Sequence, residues 1–429
     1  MSTWTATRPP EGVAVGPVSE RARKDERWTD LERLRASHPM MEAVIDEVKG
    51  RRIRVGDHWL CDFASCNYLG FDLHPEIIDS VGPELRRWGT HPSWSRLLGS
   101  PRLYVEIEEQ LTELLGASDS LVLPTITIIH QSVIPVLAGQ GAVLVDAQAH
   151  KTIYDGATIA RGEGARLRRV HANDPGHLEE VLRSLPPAMN RMFCIDGVNS
   201  MTGNAPDLIE YARICRQYDA LLYVDDAHGF GVIGESPTPE MPYGYRGNSI
   251  VKYFGETYDN IILVAGFSKS YSSLAAFLAL PTALKNHLKV AAPPYLYSGP
   301  SPTASLATVL AGFRVNEAEG DELRWSVYQK TTRVLKRISE LGLRTLNTSG
   351  FPIIELPLGH GDEIDKVGEF LFDRGIYVTL AAYPLVPKTE VGFRIQVTAA
   401  NADDEIDQLN EVLGELAGRF DMQRAQASD

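Results

Sequence analysis

Short apolar runs alternate with longer amphipathic stretches through the middle of the chain. Each apolar run is long enough for one buried strand, and the stretches between the runs have the periodicity of helices. The predicted strands cover residues 121–123, 142–146, 166–171, 192–196, 220–225, 261–267 and 276–280. Short apolar strands separated by helices indicate a mainly parallel sheet that is covered on both faces. The pattern therefore predicts the α/β fold class, with ligands at the carboxyl ends of the strands.

The pattern is different on either side of this region. The elements predicted before it are a helix that starts near Thr29 or Asp30, a hairpin over residues 51–63 and a helix over residues 75–88. The elements predicted after Thr303 are a long helix over residues 322–343, strands over 352–356, 376–380 and 392–397, and a last helix over 403–420. This second set is typical of a smaller α+β domain.

One lysine lies in a turn between two of the predicted core strands. Lys269 follows the strand at 261–267 and precedes the strand at 276–280, within a run of small residues. A lysine that is held away from bulk solvent has a lowered pKa and can work as a Schiff-base amine. Taken alone, the stretch would favour a solvated lysine in a polar turn.

A carboxylate and a histidine follow another predicted strand. The strand at 220–225 ends in Asp225 and Asp226, and His228 comes shortly after them. The pyridinium nitrogen of pyridoxal phosphate (PLP) needs a buried anion, and its phenolic oxygen needs a hydrogen-bond donor. Asp225 suits the first role and His228 the second. Together with Lys269, these residues predict PLP as the cofactor.

Composition narrows the possible partners. The chain has 429 residues, of which 44% are hydrophobic, so it can bury a large core. Its net charge of −14 disfavours nucleic acids and anionic membranes. We expect a cytoplasmic protein, because no apolar run approaches the ~20 residues that span a bilayer and the first residues lack a signal peptide's apolar stretch. The four cysteines lack metal-ligand spacing, so we expect neither a metal site nor disulfides.

Several groups of residues follow one another in a specific order. They are Asn67-Tyr68-Leu69-Gly70, Asp146 with His150 and Asp155-Gly156, Gly197-Val198-Asn199-Ser200-Met201 with Ala205-Pro206, the stretch from Asp225 to Gly231, Ser268-Lys269, and Arg394 with Thr398-Ala399-Ala400. This ordered set resembles the α-oxoamine synthase family of fold-type I PLP-dependent enzymes over roughly residues 40 to 420, and it is far more specific than any single motif.

The resemblance implies both a reaction and an assembly. Members of this family condense an amino acid with an acyl thioester of coenzyme A or acyl carrier protein, usually with decarboxylation, to give an α-aminoketone. The implied protein is a homodimer with its active site at the subunit interface. The implied fold is a fold-type I transferase, with a large, mainly parallel-sheet domain and a smaller α+β domain.

The resemblance also implies roles for individual residues. The implied catalytic residues are Lys269, His150, Asp225 and His228. The implied cofactor-binding residues are Thr125, Ile126, Thr127, His150, Ser200, Asp225, His228, Ser268 and Lys269, with Ser298 and Ser301 reaching the neighbouring subunit's phosphate site. The implied substrate-binding residues are Asn67, Arg96 and Arg394.

Two positions depart from the family pattern at the place where the cofactor phosphate is expected. Ile126 replaces a glycine in the turn before a helix, and Gly266 replaces a threonine or serine three residues before the lysine. These departures leave the geometry of the phosphate site open.

Simpler roles stay possible for four of the other residues. His150 could cap the next helix, Asn67 could cap a turn, and Ser200 could be a turn hydroxyl. Arg394 lies on an apolar strand, where a buried arginine needs an anion, either a substrate carboxylate or an acid of the protein itself.

The expected function is a PLP-dependent acyltransferase. The alternatives are an aminotransferase or lyase of the same fold type, and a catalytically silent subunit. The expected domain boundaries are a mobile arm at 1–27, an N-terminal segment at 28–88, a large PLP-binding domain at 89–302, a small C-terminal domain at 303–420 and a tail at 421–429.

Overall fold

The computed structural model describes residues 28–425. The arm expected at residues 1–27 lies outside the described residues, as do the last four residues of the expected tail. The described part of that tail is anchored, because Met422 is buried and the Gln423 N–H donates to the Pro357 carbonyl at 3.2 Å.

The chain forms helices and strands in the following order. The helices are α1 (Thr29–Ser37), α2 (Pro75–Trp88), α3 (Arg102–Leu115), α4 (Ile126–Ala138), α5 (Lys151–Gly162), α6 (Pro175–Arg183), α7 (Leu208–Gln217), α8 (Ile250–Tyr253), α9 (Thr282–Ala291), α10 (Pro293–Leu296), α11 (Thr303–Glu340), α12 (Ile364–Asp373) and α13 (Asp403–Arg419). The strands are β1 (Glu47–Lys49), β2 (Arg52–Val55), β3 (His58–Asp62), β4 (Asp119–Leu123), β5 (Ala142–Asp146), β6 (Arg166–Val170), β7 (Arg191–Asp196), β8 (Leu221–Asp225), β9 (Ile261–Gly266), β10 (Ala276–Leu280), β11 (Ile353–Pro357), β12 (Ile376–Tyr377), β13 (Thr379–Ala381) and β14 (Gly392–Gln396).

The central sheet contains all seven strands that the apolar runs predict. Its order is β4-β10-β9-β8-β7-β5-β6, and every neighbouring pair is parallel except the two that β10 makes with β4 and β9. The prediction of a mainly parallel α/β sheet is confirmed.

Both faces of this sheet are buried, which explains why its strands read as continuous apolar runs. Because side chains alternate along a strand, Leu144 packs into the hydrophobic cluster on one face while Val143 and Val145 pack into the cluster on the other. Helices α4 and α5 cover the second of these faces.

A second hydrophobic core brings together residues from both ends of the chain. It contains Leu34, Ile53 and Phe63 from the N-terminal segment and Phe393 and Leu409 from the C-terminal part. One of its sheets is antiparallel, in the order β11-β14-β13, and the other has the order β1-β2-β3-β12. The strand predicted over 376–380 is therefore divided between two sheets.

Helix α11 connects the two cores. It begins at Thr303 rather than near residue 322, and Leu306 and Val309 pack into the large core while Val334 and Ile338 pack into the second one. Its first half is buried on several sides, so this half lacks the amphipathic pattern from which the helix was predicted.

The parallel strands place acidic residues together at one edge of the large sheet. Asp146, Asp196 and Asp225 are the last residues of β5, β7 and β8, and Asp196 is in register with Asp225. Strand β9 runs beside β8 and leads into the turn that carries Lys269. Among the described residues, none of the helices is long and apolar enough to cross a membrane.

Candidate active site

A cavity of about 200 Å³ opens at the carboxyl edge of the large sheet. Nine of the predicted site residues line it, namely Thr125, Ile126, Thr127, His150, Ser200, Asp225, His228, Ser268 and Lys269. Its other lining residues, Thr152, Asp196, Val198 and Ala227, were not predicted from the sequence.

Those four residues differ in how easily they could have been found. Asp196 carries the same signal as Asp225, a carboxylate at the end of a buried strand, while Val198 and Ala227 lie inside motifs that were recognised. Thr152 carries no sequence signal, because a threonine in the first turn of a helix is commonplace.

Asp225 is the buried anion of the cavity. One carboxylate oxygen, Oδ1, accepts the Ala227 N–H at 3.0 Å, and Oδ2 lies 3.5 Å from Nε2 of His130. The side chain is only 6% exposed. Its position at the end of β8 beside the lysine turn suits a group that holds a buried cation.

Asp226 has a structural role instead. It is fully buried, accepts the Ile250 N–H at 2.8 Å and does not line the cavity. Gly197 and Gly229 pack directly on it, since a Cβ at Gly229 would lie 2.1 Å from the Asp226 Oδ1 atom. Burial and the charge of Asp225 raise the pKa of Asp226 to about 8, so Asp226 is mostly protonated at neutral pH.

Lys269 lies in a turn whose backbone is held by hydrogen bonds. The Phe267 N–H donates to Ala275 at 2.9 Å and the Ser272 N–H donates to the Lys269 carbonyl at 2.9 Å. Burial lowers the pKa of the Lys269 amine, and the charge of Asp225 opposes that shift. None of the hydrogen bonds or ion pairs found between residues 28 and 425 involves Nζ, so the amine is available to a ligand.

His228 is buried and hydrogen-bonded to a tyrosine. Its Nδ1 lies 2.8 Å from the Tyr68 hydroxyl. Burial lowers the pKa of His228 well below its usual value and raises that of Tyr68, so the pair is neutral at physiological pH. With Tyr68 as the donor, the proton of His228 stays on Nε2 and can be donated into the cavity.

The position of His150 is compatible with either of the roles that the sequence left open. It is the N-cap of α5 and also lines the cavity. Its N–H donates to Asp196 Oδ1 at 2.9 Å, which fixes the backbone, and its Nδ1 lies 2.8 Å from the Thr152 hydroxyl. Burial lowers the pKa of His150, so its ring is neutral at physiological pH.

The two departures from the family pattern are in direct contact. A Cβ at Gly266 would lie 2.9 Å from Cδ1 and 3.2 Å from Cγ1 of Ile126. The isoleucine side chain therefore occupies the space that a larger residue at 266 would need. Thr125 caps α4 through its hydroxyl, which accepts the Ile128 N–H at 3.3 Å, and within residues 28–425 the N–H groups of Ile126 and Thr127 stay free for an anion.

Arg394, on β14, contacts a residue that lines the cavity. Its Nη1 donates to the Ser200 carbonyl at 2.5 Å, and Ser200 lines the cavity. Its Nε is buried without a hydrogen-bond partner, and none of the ion pairs among the described residues involves Arg394. The alternative of a salt bridge to the protein's own acid is therefore not realised within residues 28–425.

Arg96 lies away from the cavity, and its charge is already neutralised. It is buried, donates to Glu108 at 2.6 Å and to the Val122 carbonyl at 2.7 Å, and stacks on Tyr104 with the guanidinium carbon 4.1 Å from the ring centre. The structure therefore argues against the predicted substrate-binding role and assigns Arg96 to packing between α3 and β4.

Three further predicted residues do not line the cavity of their own chain. The backbone carbonyl of Asn67 accepts the Gly70 N–H at 2.9 Å, a bond that does not involve the Asn67 side chain. Ser301 is buried and its N–H donates to the Tyr104 hydroxyl at 2.7 Å, while the Ser298 hydroxyl donates to the Gly299 carbonyl at 3.1 Å.

The residues of the cavity fit PLP. The described residues supply a buried carboxylate, a lysine amine to which none of them bonds, a neutral histidine donor and N–H groups at the start of α4 that none of them accepts. These groups match the pyridinium, aldehyde, phenolic and phosphate groups of the cofactor in turn. The buried Arg394 Nε adds an unused donor for a carboxylate next to this site.

Known proteins resemble this chain over most of its length. A family model described as aminotransferase class I and II matches residues 60–413. An 8-amino-7-oxononanoate synthase of Ectopseudomonas mendocina is 31% identical over 370 residues, which cover 86% of this chain and 91% of that protein. A serine palmitoyltransferase of Bacteroides ovatus is 27% identical over 371 residues, covering 86% and 90%.

Solved structures resemble the fold as well. A serine palmitoyltransferase variant from S. paucimobilis, with PLP and myriocin bound, matches with a TM-score of 0.83 and 23% identity, covering 92% of this chain and 96% of that one. Serine palmitoyltransferase of Sphingomonas wittichii matches with a TM-score of 0.82 and 23% identity, covering 91% and 97%. At this identity the likeness concerns the fold.

The contact between Ile126 and Gly266 gives a testable exchange. Gly266→Thr should weaken PLP binding and lower the free energy of unfolding by about 1 kcal/mol, because the new side chain overpacks against Ile126. Adding Ile126→Gly should restore part of the lost PLP affinity and part of the lost stability. A double-mutant cycle measures this by absorbance titration with PLP and by thermal melting.

The matched control for this exchange is Ile128→Gly, which lies in the same helical turn but is not among the nearest atoms around Gly266. Its effect should add to that of Gly266→Thr. If Gly266→Thr combines as additively with Ile126→Gly as with Ile128→Gly, positions 126 and 266 are independent of each other, which contradicts the expectation.

Proposed function

Because the chain belongs to the aminotransferase class I and II family, we propose that it is a PLP-dependent α-oxoamine synthase. Such an enzyme condenses an amino acid with an acyl thioester and releases a thiol, carbon dioxide and an α-aminoketone. The observation that carries the proposal is one cavity in which Lys269, Asp225, His228 and His150 meet. The 8-amino-7-oxononanoate synthase relatives, which match nearly their whole length, favour this reaction within the family.

PLP, when bound, supplies an electron sink for negative charge at the α-carbon of the amino acid. Asp225 would hold the pyridinium nitrogen, since its buried carboxylate faces the cavity from the end of β8. His228 would donate from Nε2 to the phenolic oxygen, because Tyr68 occupies its Nδ1. The N–H groups of Ile126 and Thr127, with the hydroxyl of Ser268 nearby, would hold the phosphate.

Lys269 would act as the base that accepts the α-proton at Nζ. Burial lowers its pKa, which favours the neutral form of the amine that can take up a proton. Arg394 would bind the substrate carboxylate, using the guanidinium face that no acid of the described chain occupies. The carboxylate would then lie close to Ser200, at the boundary between the two cores.

The proposed substrates are an amino acid and an acyl thioester of coenzyme A or acyl carrier protein. The geometry of the described residues favours neither carrier. A cytoplasmic location stays a prediction.

We further propose a homodimer, with a second copy of this chain as the partner. Trp94, Leu97, Leu98 and Tyr297 form an exposed apolar patch, in which they are 55%, 56%, 80% and 82% exposed. The two segments that carry the patch are joined, because the Leu97 N–H donates to the Tyr295 carbonyl at 3.3 Å. Ser298 follows Tyr297 directly, so this patch would bring Ser298 towards the partner's phosphate site, whereas Ser301 is buried in its own chain.

The reaction can be tested with purified, PLP-loaded protein and a panel of amino acids. With the correct amino acid alone, we expect its α-hydrogen to exchange with solvent deuterium, as followed by NMR. Addition of acyl-coenzyme A or acyl carrier protein should release a thiol and form an α-aminoketone. Arg394→Ala should weaken amino-acid binding by about 2–4 kcal/mol, because a buried charge pair is lost, and the surface variant Arg213→Ala should not.

Two results would contradict the proposed reaction. Conversion of a keto acid into an amino acid without release of thiol identifies an aminotransferase. Failure to bind PLP at all, measured by absorbance after dialysis, identifies a catalytically silent subunit.

The dimer can be tested by introducing a charge into the patch. Leu98→Glu should convert the dimer to a monomer in light scattering coupled to gel filtration and weaken PLP binding, because a charge in a buried apolar interface is costly. Ile209→Glu is the matched control, since Ile209 is 51% exposed on α7 outside the patch. A dimer that survives Leu98→Glu, or an unmodified protein that is already monomeric, contradicts this assembly.

A further inference from the structure

His130 is a fully buried histidine in the middle of α4 with no role assigned so far. Its Nε2 lies 3.5 Å from Asp225 Oδ2 and has no hydrogen-bond partner among the described residues. Its Nδ1 lies 2.9 Å from the hydroxyl oxygen of Thr152. The ring also packs edge-on against Tyr223, with ring centres 5.8 Å apart, which fixes its orientation.

The same hydroxyl contacts a second histidine. Thr152 Oγ1 lies 2.8 Å from Nδ1 of His150, the histidine that faces the cavity. One threonine hydroxyl therefore lies between two imidazole nitrogens. A hydroxyl has one proton, so it can donate to only one of these nitrogens and must accept a proton from the other.

The carboxylate of Asp225 decides the direction of these hydrogen bonds. A carboxylate only accepts, so the His130 nitrogen facing it carries the proton. Burial lowers the pKa of His130 to about 4, which means that its ring is neutral and has only this one proton. Its Nδ1 is then unprotonated and accepts a hydrogen bond from the Thr152 hydroxyl. The Thr152 oxygen in turn accepts a hydrogen bond from the protonated Nδ1 of His150.

A weaker contact favours the opposite arrangement at His150. The backbone N–H of Thr152 points at His150 Nδ1 over 3.4 Å, and it would require that nitrogen to be bare. The hydroxyl contact is shorter by 0.6 Å, the difference between 3.4 and 2.8 Å. The opposite arrangement would also turn a bare His130 nitrogen towards the Asp225 carboxylate.

We propose that Asp225, His130, Thr152 and His150 form one polar chain that holds the proton of His150 on Nδ1. The bare Nε2 of His150 then offers a lone pair to the cavity. Resting on the proposed function, this makes His150 an acceptor for the ammonium or a side-chain hydroxyl of the bound amino acid. His130 and Thr152 are positioning residues, because they act through Asp225 and His150.

The test is ¹⁵N NMR of the ring nitrogens in PLP-free protein labelled at histidine. In the unmodified protein, His150 should show a protonated Nδ1 and a bare Nε2. Thr152→Val removes the hydroxyl, which leaves the backbone N–H as the only donor to Nδ1 and should move the proton to Nε2. Thr152→Ser should retain the original tautomer.

A double variant separates a chain of contacts from a local effect. His130→Phe removes the acceptor for the Thr152 proton, so it should shift His150 in the same direction as Thr152→Val. The double variant should shift no further than either single variant. Thr158→Val is the matched control, since that hydroxyl donates to the Tyr154 carbonyl of the same helix and has no hydrogen bond to a histidine of the described chain.

Two results would overturn the proposal. One is a protonated Nε2 on His150 in the unmodified protein, and the other is a tautomer that His130→Phe and Thr152→Val leave unchanged. Because the measurement uses neither PLP nor substrate, it is independent of whether the protein is an α-oxoamine synthase.

Discussion

The buried charge of Asp225 is the constraint on which the rest of the site depends. A carboxylate removed from water must be matched by cations or donors, and the cavity provides them. After burial itself, Asp225 is the largest influence on the pKa of Lys269, His130 and Asp196, raising all three. The protonation states of the cavity are therefore coupled through a single anion at the end of β8.

The fold explains how this charge is kept in place. Parallel strands bring their carboxyl ends to one edge, so Asp196 and Asp225 lie side by side. Burial, and then the charge of Asp225, raise the pKa of Asp196. The second core completes the site from the other side, because Arg394 on β14 donates to the Ser200 carbonyl. The bond joins the two cores that helix α11 also connects.

Much of this arrangement could be predicted from the sequence, and the exceptions have physical causes. Strands buried on both faces give short apolar runs, so each of the seven was found to within two residues. The first half of α11 was missed because it is buried on several sides. The partner of Arg96 is Glu108 on a neighbouring element, and no local pattern reveals that such a charge is already neutralised.

The remaining exceptions depend on contacts between distant positions. Ile126 and Gly266 each read as a defect in a phosphate motif, although in the structure one side chain fills the space that the other position leaves. His130 and Thr152 belong to different helices and meet only because α4 and α5 pack together. The spacing of His130 and Thr152 along the sequence therefore does not reveal that they are in contact.

The most direct test of the account is the protonation state of bound PLP in variants of the two adjacent aspartates. With ¹⁵N-labelled PLP, NMR should show a protonated pyridine nitrogen in the unmodified protein and in Asp226→Asn, since Asp226 is already mostly neutral at pH 7. Asp225→Asn should leave that nitrogen unprotonated, because its anionic partner is gone. A pyridine nitrogen that stays protonated in Asp225→Asn but loses its proton in Asp226→Asn would contradict the account.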